Sequence, residues 1–152
     1  MKRAVLTFTI LAASVASAHA QVKMTWTAEE MDNGAVLTLG VPETDNSVIS
    51  LVCNKGNPTV LLTSHVGSKG LKANDPARII LTAGKVKKEF TGKAVANEES
   101  ASVDVEAGGS FADVKAVLAG GKTMTLEVKG VKQQAPLDGA PDAFATFAAA
   151  CQ

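Results

Sequence analysis

The chain has 152 residues, 46% of them hydrophobic and only 4% aromatic, with 15 basic residues against 15 acidic ones. That length makes one domain, and the balanced charge gives no electrostatic footing for nucleic acid, whose binding rests on Lys and Arg neutralising phosphates. One histidine beyond the first 20 residues and two cysteines are too few nitrogen and sulfur donors for a zinc or copper centre.

Taken in chain order, residues 1–20 read as a secretory signal peptide. Lys2 and Arg3 form the charged start, Ala4 to Ala13 the apolar centre, and Ala18-His19-Ala20 the small-residue cleavage site, with Ala16-Ser17-Ala18 as a second acceptable cut. The apolar run is shorter than the roughly 20 residues a membrane-spanning helix needs. The expectation is a periplasmic or secreted protein without a membrane span. Loss of Lys2 and Arg3 would leave 13 basic residues against 15 acidic, a net charge of −2.

Residues 21–152 read as a single β-rich domain. Period-two patterning, the strand signal, marks Val22, Met24 and Trp26, then Leu37, Leu39 and Val41, with a hairpin turn at Asp32-Asn33-Gly34 between them. Ser47 to Cys53, Thr59 to Thr63 and Arg78 to Ala83 follow. The first and last are apolar on both faces, as strands covered on both sides are. Lys85 to Lys93 and Ser102 to Glu106 predict a second hairpin. There Lys85, Lys87 and Lys93 share an outer face with Asp104 and Glu106, and Val86, Phe90, Val103 and Val105 form the inner one.

The period then changes. Ser110 starts a helix carrying Phe111, Val114, Val117 and Leu118 on one face, with Asp113 in its first turn and a left-handed stop expected at Gly120-Gly121. Lys122 to Lys129 returns to alternation. Gln133 to Pro141 reads as a loop, and a last helix places Phe144, Phe147 and Cys151 on its core face. The predicted class is β-rich α+β: about eight strands in an antiparallel sheet or small β-sandwich, with two short helices and one disulfide. In an oxidising compartment Cys53 and Cys151 pair most simply, the alternative being two free buried thiols; no C-x-x-C spacing suggests redox chemistry.

Catalytic signatures are missing. There is no G-x-S-x-G, H-E-x-x-H, P-loop or G-x-G-x-x-G. The expectation is therefore no catalytic residue, no metal and no cofactor, with His65 as a surface histidine in a loop. The carboxylates Glu98, Glu99, Asp104 and Glu106 read as a solvated face and loop. The stripe Lys85, Lys87, Lys88 and Lys93 reads as cross-strand pairing with Asp104 and Glu106 rather than as a site for an acidic partner or lipid. The segment with Ser64, His65, Gly67, Ser68 and Lys69, rich in glycine and serine, is the candidate recognition loop.

Three segments, the strand Ile49 to Cys53, the run from Phe111 to Gly130 and the terminal Ala143 to Cys151, resemble in their order the small exported proteins of the VasI-like, type VI secretion-associated group. That resemblance implies an accessory envelope protein without enzymatic activity and transfers no catalytic residues. The function expected from the sequence is a non-enzymatic protein binding another protein or an envelope component. The named alternatives are a type VI secretion accessory and an inhibitor of a hydrolase such as lysozyme.

Overall fold

A computed structural model describes residues 23–98 and 101–152; the signal-peptide reading of residues 1–20 lies outside them. Nine strands and two helices follow in the order β1 (Thr25–Met31), β2 (Gly34–Gly40), β3 (Ser47–Asn54), β4 (Thr59–Ser64), β5 (Pro76–Ala83), β6 (Val86–Asn97), β7 (Ser102–Ser110), α1 (Phe111–Leu118), β8 (Thr123–Val128), β9 (Val131–Pro136) and α2 (Ala140–Cys151). The strands form one antiparallel sheet ordered β1-β2-β3-β4-β7-β6-β5-β8-β9. Of the two expected arrangements, the single sheet is realised, curled into a half-barrel.

The curl brings the two ends of that order together. The Trp26 indole N–H on β1 donates to the Pro136 carbonyl at the end of β9, 2.8 Å away and 110 positions distant in sequence. Nine strands alternating in direction leave β1 and β9 running the same way, so an antiparallel ladder cannot close them. A side-chain bond bridges the seam instead, and α2 packs against β1 and β2. Strand alternation turns Leu37, Leu39, Ile49, Leu51, Val60, Leu62, Leu81 and Leu126 inward, each essentially inaccessible to solvent. Each such side chain contributes about 1.5–3 kcal/mol on burial.

Both helices lie on this inner face. Ser110 caps α1: its hydroxyl accepts the Asp113 N–H at 3.1 Å and donates to the Asp113 carboxylate at 2.8 Å. Phe111, Phe144 and Phe147 form an aromatic cluster between the helices, with ring centroids 5.9–6.4 Å apart. Cys53 and Cys151 are joined in a disulfide, their Cα atoms 5.9 Å apart, tying α2 to β3. The Gly56 N–H reinforces the tie by donating to the Cys151 carbonyl at 3.1 Å.

Four details differ from the sequence reading. The first strand starts at Thr25, with Met24 ahead of it, and reaches Met31. Val131–Pro136 is a strand, not loop. Only Ala135 of its six residues is buried, so an edge strand of Lys and Gln shows no apolar alternation, and Pro136 is tolerated at its end. Helix α1 ends without a left-handed glycine: Ala119 is the cap, and Gly120 is required because a Cβ there would stand 2.7 Å from the Ala83 carbonyl. Finally, the lysine stripe divides: Lys93 lies directly opposite Glu106 on the outer face as expected, but Lys85 falls in the β5–β6 turn, and Lys88 turns to Asp113 on α1, 2.6 Å away.

Candidate functional site

Antiparallel order gathers the β2–β3 loop, the chain leaving β4, the last residue of β6 and the first of β7 at one end of the sheet. The register places Thr38, Ser50 and Thr63 side by side on the outer face of β2, β3 and β4, and opposes Asn97 to Ser102 across β6 and β7. A cleft of about 680 Å³ opens there, lined by residues of β2, β3, β6 and β7, by Thr44 to Asn46 of the β2–β3 loop and by His65 to Gly67.

His65 is the centre of this cleft. Its Nδ1 stands 2.8 Å from Asp104 Oδ2 and its Nε2 3.1 Å from Ser50 Oγ. Asp104 is 4% exposed, and its carboxylate also accepts from Asn97 Nδ2 at 2.9 Å and more weakly from Ser102 Oγ at 3.5 Å. A carboxylate only accepts, so Nδ1 carries the proton. Nε2 of the neutral ring is then the acceptor for the Ser50 hydroxyl. The His65 side chain keeps 25% of its surface open to solvent, so Nε2 and Ser50 Oγ stand at the wall of the cleft.

Ser50–His65–Asp104 has the order and distances of a nucleophile, a base and the group that orients the base. One part of acyl-transfer chemistry is not supplied by the strands. Ser50 is paired to Thr38 on one side and Thr63 on the other, which commits its N–H to the ladder, and the His65 N–H donates to the Val48 carbonyl at 3.0 Å. Neither amide is left to hold an oxyanion. Among the described residues that line the cleft there is no Lys or Arg, while Asp45 stands exposed at the rim, so these residues offer hydroxyls, amides, one imidazole and acidic charge. Among the described residues no group of three or more His, Cys, Asp and Glu side chains comes together to hold a metal.

The candidate recognition segment is split by the strand it leaves. Ser64, the last residue of β4, is 1% exposed and faces the core. His65 and Gly67 line the cleft, and His65 is half-buried in a hydrogen-bond network rather than free on a surface loop. The Lys69 N–H donates to the Lys129 carbonyl and its side chain lies on Gly130, which docks it on the β8–β9 turn; the Ser68 hydroxyl is buried. Asp104, expected on a solvated face, is instead buried behind His65. Ser50 was the readable clue: it is the single hydroxyl in the apolar run Val48-Ile49-Ser50-Leu51-Val52.

At the opposite end, a more apolar hollow of about 480 Å³ lies over Pro58, Phe111, Phe144, Ala148 and the disulfide.

Fold and site together define a class: a disulfide-clamped, curled antiparallel half-barrel with a polar, histidine-centred cleft at one end. No protein-family model, curated protein or solved structure matches this chain.

Proposed function

We propose that this is a non-enzymatic exported protein that binds another protein or an envelope component through the cleft around His65. One observation carries the reading: the Asp104 carboxylate, Asn97 and Ser50 fix the imidazole at the wall of an accessible cleft. Polar groups held in place before a ligand arrives cost less to order on binding. The lack of a strand amide for an oxyanion beside Ser50 favours binding over turnover. A disulfide across two core elements suits an exported chain, and no helix among the described residues is long and apolar enough to cross a membrane. The type VI accessory reading names no partner, and the hydrolase-inhibitor reading places the segment from Ser64 to Gly70, which borders this cleft, in the hydrolase's own cleft.

The test is quantitative capture from envelope extract with the mature protein and with a Ser50→Ala/His65→Gln variant, followed by mass spectrometry and by calorimetry against lysozyme. A partner retained by the mature protein and released by the variant, at equal melting temperature, supports the proposal. A partner held equally by both, or by neither, contradicts it.

A further inference from the structure

The hydroxyl, imidazole and carboxylate of the cleft carry an inference that goes beyond partner binding. We propose that Ser50 is a nucleophile that accepts one acyl group from an activated ester or thioester and keeps it. Three observations support this. The base is in place: Ser50 Oγ is 3.1 Å from His65 Nε2, within the range at which a hydroxyl hands over its proton. The base is held in the right tautomer, because the buried Asp104 carboxylate, itself braced by Asn97, accepts from Nδ1 at 2.8 Å. The nucleophile is accessible, since Ser50 and His65 line a cleft of about 680 Å³.

The step balances without any further reagent. Ser50 Oγ attacks the carbonyl carbon as its proton passes to His65 Nε2. The C–O or C–S bond to the leaving group then breaks. The departing alkoxide or thiolate takes the proton from Nε2, leaving an acyl-serine ester, a free alcohol or thiol, and a neutral imidazole. The second half of a hydrolase cycle is handicapped. Water must attack an ordinary serine ester, whose leaving group is poor, and the Ser50 and His65 amides are committed to other carbonyls. A missing oxyanion donor typically costs a factor of about 10²–10³. An activated donor tolerates that loss better than a serine ester does, so acylation outruns deacylation and the product accumulates.

The experiment uses the mature protein, p-nitrophenyl acetate and a fluorophosphonate probe. Expected is a burst of one equivalent of nitrophenolate that then stalls, with the mass increased by one acetyl group and peptide mapping placing it on Ser50. The fluorophosphonate should block that burst. Ser50→Ala should abolish it without moving the melting temperature, and His65→Gln should slow it by about 10²-fold or more while the chain stays folded. The inference is overturned by an adduct confined to lysines or the N-terminus, by a burst unchanged in either variant, or by release that continues past one equivalent. Labelling is read without any partner, so its failure and the failure of the binding proposal are distinguishable.

Discussion

Strand β3 carries two unlike regions three residues apart. Cys53 points inward to the disulfide, where Cys151, the Gly56 amide and the Phe111, Phe144 and Phe147 rings fix α2 to the sheet. Ser50 points outward to His65, where the neighbours are hydroxyls, amides and carboxylates. The alternation of a single strand thus assigns the disulfide clamp to one face and the polar network to the other. A site mounted on a strand clamped from behind is held more precisely than one carried on a loop. The difference predicts that substitutions at the inner region change stability, while those at the outer region change what the protein binds.

The largest effect should come from cutting the clamp. Cys53 and Cys151 are 98 positions apart, and the chain-entropy model assigns a loop of that size about 4–5 kcal/mol. Cys53→Ala/Cys151→Ala should lower the denaturation midpoint accordingly, and reductant should do the same to the native chain. A midpoint unmoved by either would mean that the two regions are not mechanically different.

Next is Asp104→Ala, which tests whether the polar region has a structural share. It takes a buried acceptor from His65 and Asn97, for a cost of about 1–3 kcal/mol. By contrast Ser50→Ala, at the accessible end of the same network, should leave the melting curve nearly unchanged. Equal losses in the two variants would contradict the placement of Asp104 behind His65 and of Ser50 in front of it.

Much of the inner region was legible in the sequence. Apolar alternation and two runs apolar on both faces gave eight of the nine strands, Ser110 and Asp113 gave the start of α1, and the helical spacing of Phe144, Phe147 and Cys151 pointed the second cysteine at the core. Inward-facing residues announce themselves because burial selects one chemistry at a fixed period. The edge strand Val131–Pro136 was hidden for the complementary reason: half-exposed, it has no apolar face to repeat. The cleft was less legible still. His65 and Gly67 were identifiable as loop residues of interest, but Ser50 lies 15 positions before His65 and Asp104 39 after it. Only the strand order β3-β4-β7 brings the three together, and pairing order is set by long-range packing that no local pattern encodes.

Smaller effects refine the contrast. Trp26→Phe keeps the ring in the core and removes the indole bond across the β1–β9 seam, for a loss of about 1 kcal/mol. Hydrogen exchange should quicken in β1 and β9 ahead of β3; unchanged protection there would show that the seam does not depend on the indole. The smallest effect concerns Asp113. The Lys88 ammonium and the Ser110 hydroxyl hold its carboxyl below the usual carboxylate value. A depressed folded value means that its contribution is present above the unfolded carboxyl's pKa and is lost as pH falls through the folded one. Asp113→Asn should therefore slightly lower stability at neutral pH and narrow its gap from the native chain in acid. A gap that widens in acid would have the wrong sign.

The most direct test of the division of labour is a crossed pair of variants measured for both partner capture and melting temperature. Ser50→Ala/His65→Gln should lose the captured partner and keep the melting temperature, whereas Phe111→Ala, which opens the aromatic cluster on the inner face, should keep the partner and lower the melting temperature. Partner loss in Phe111→Ala with retention in Ser50→Ala/His65→Gln would contradict the account and move the working site to the apolar end.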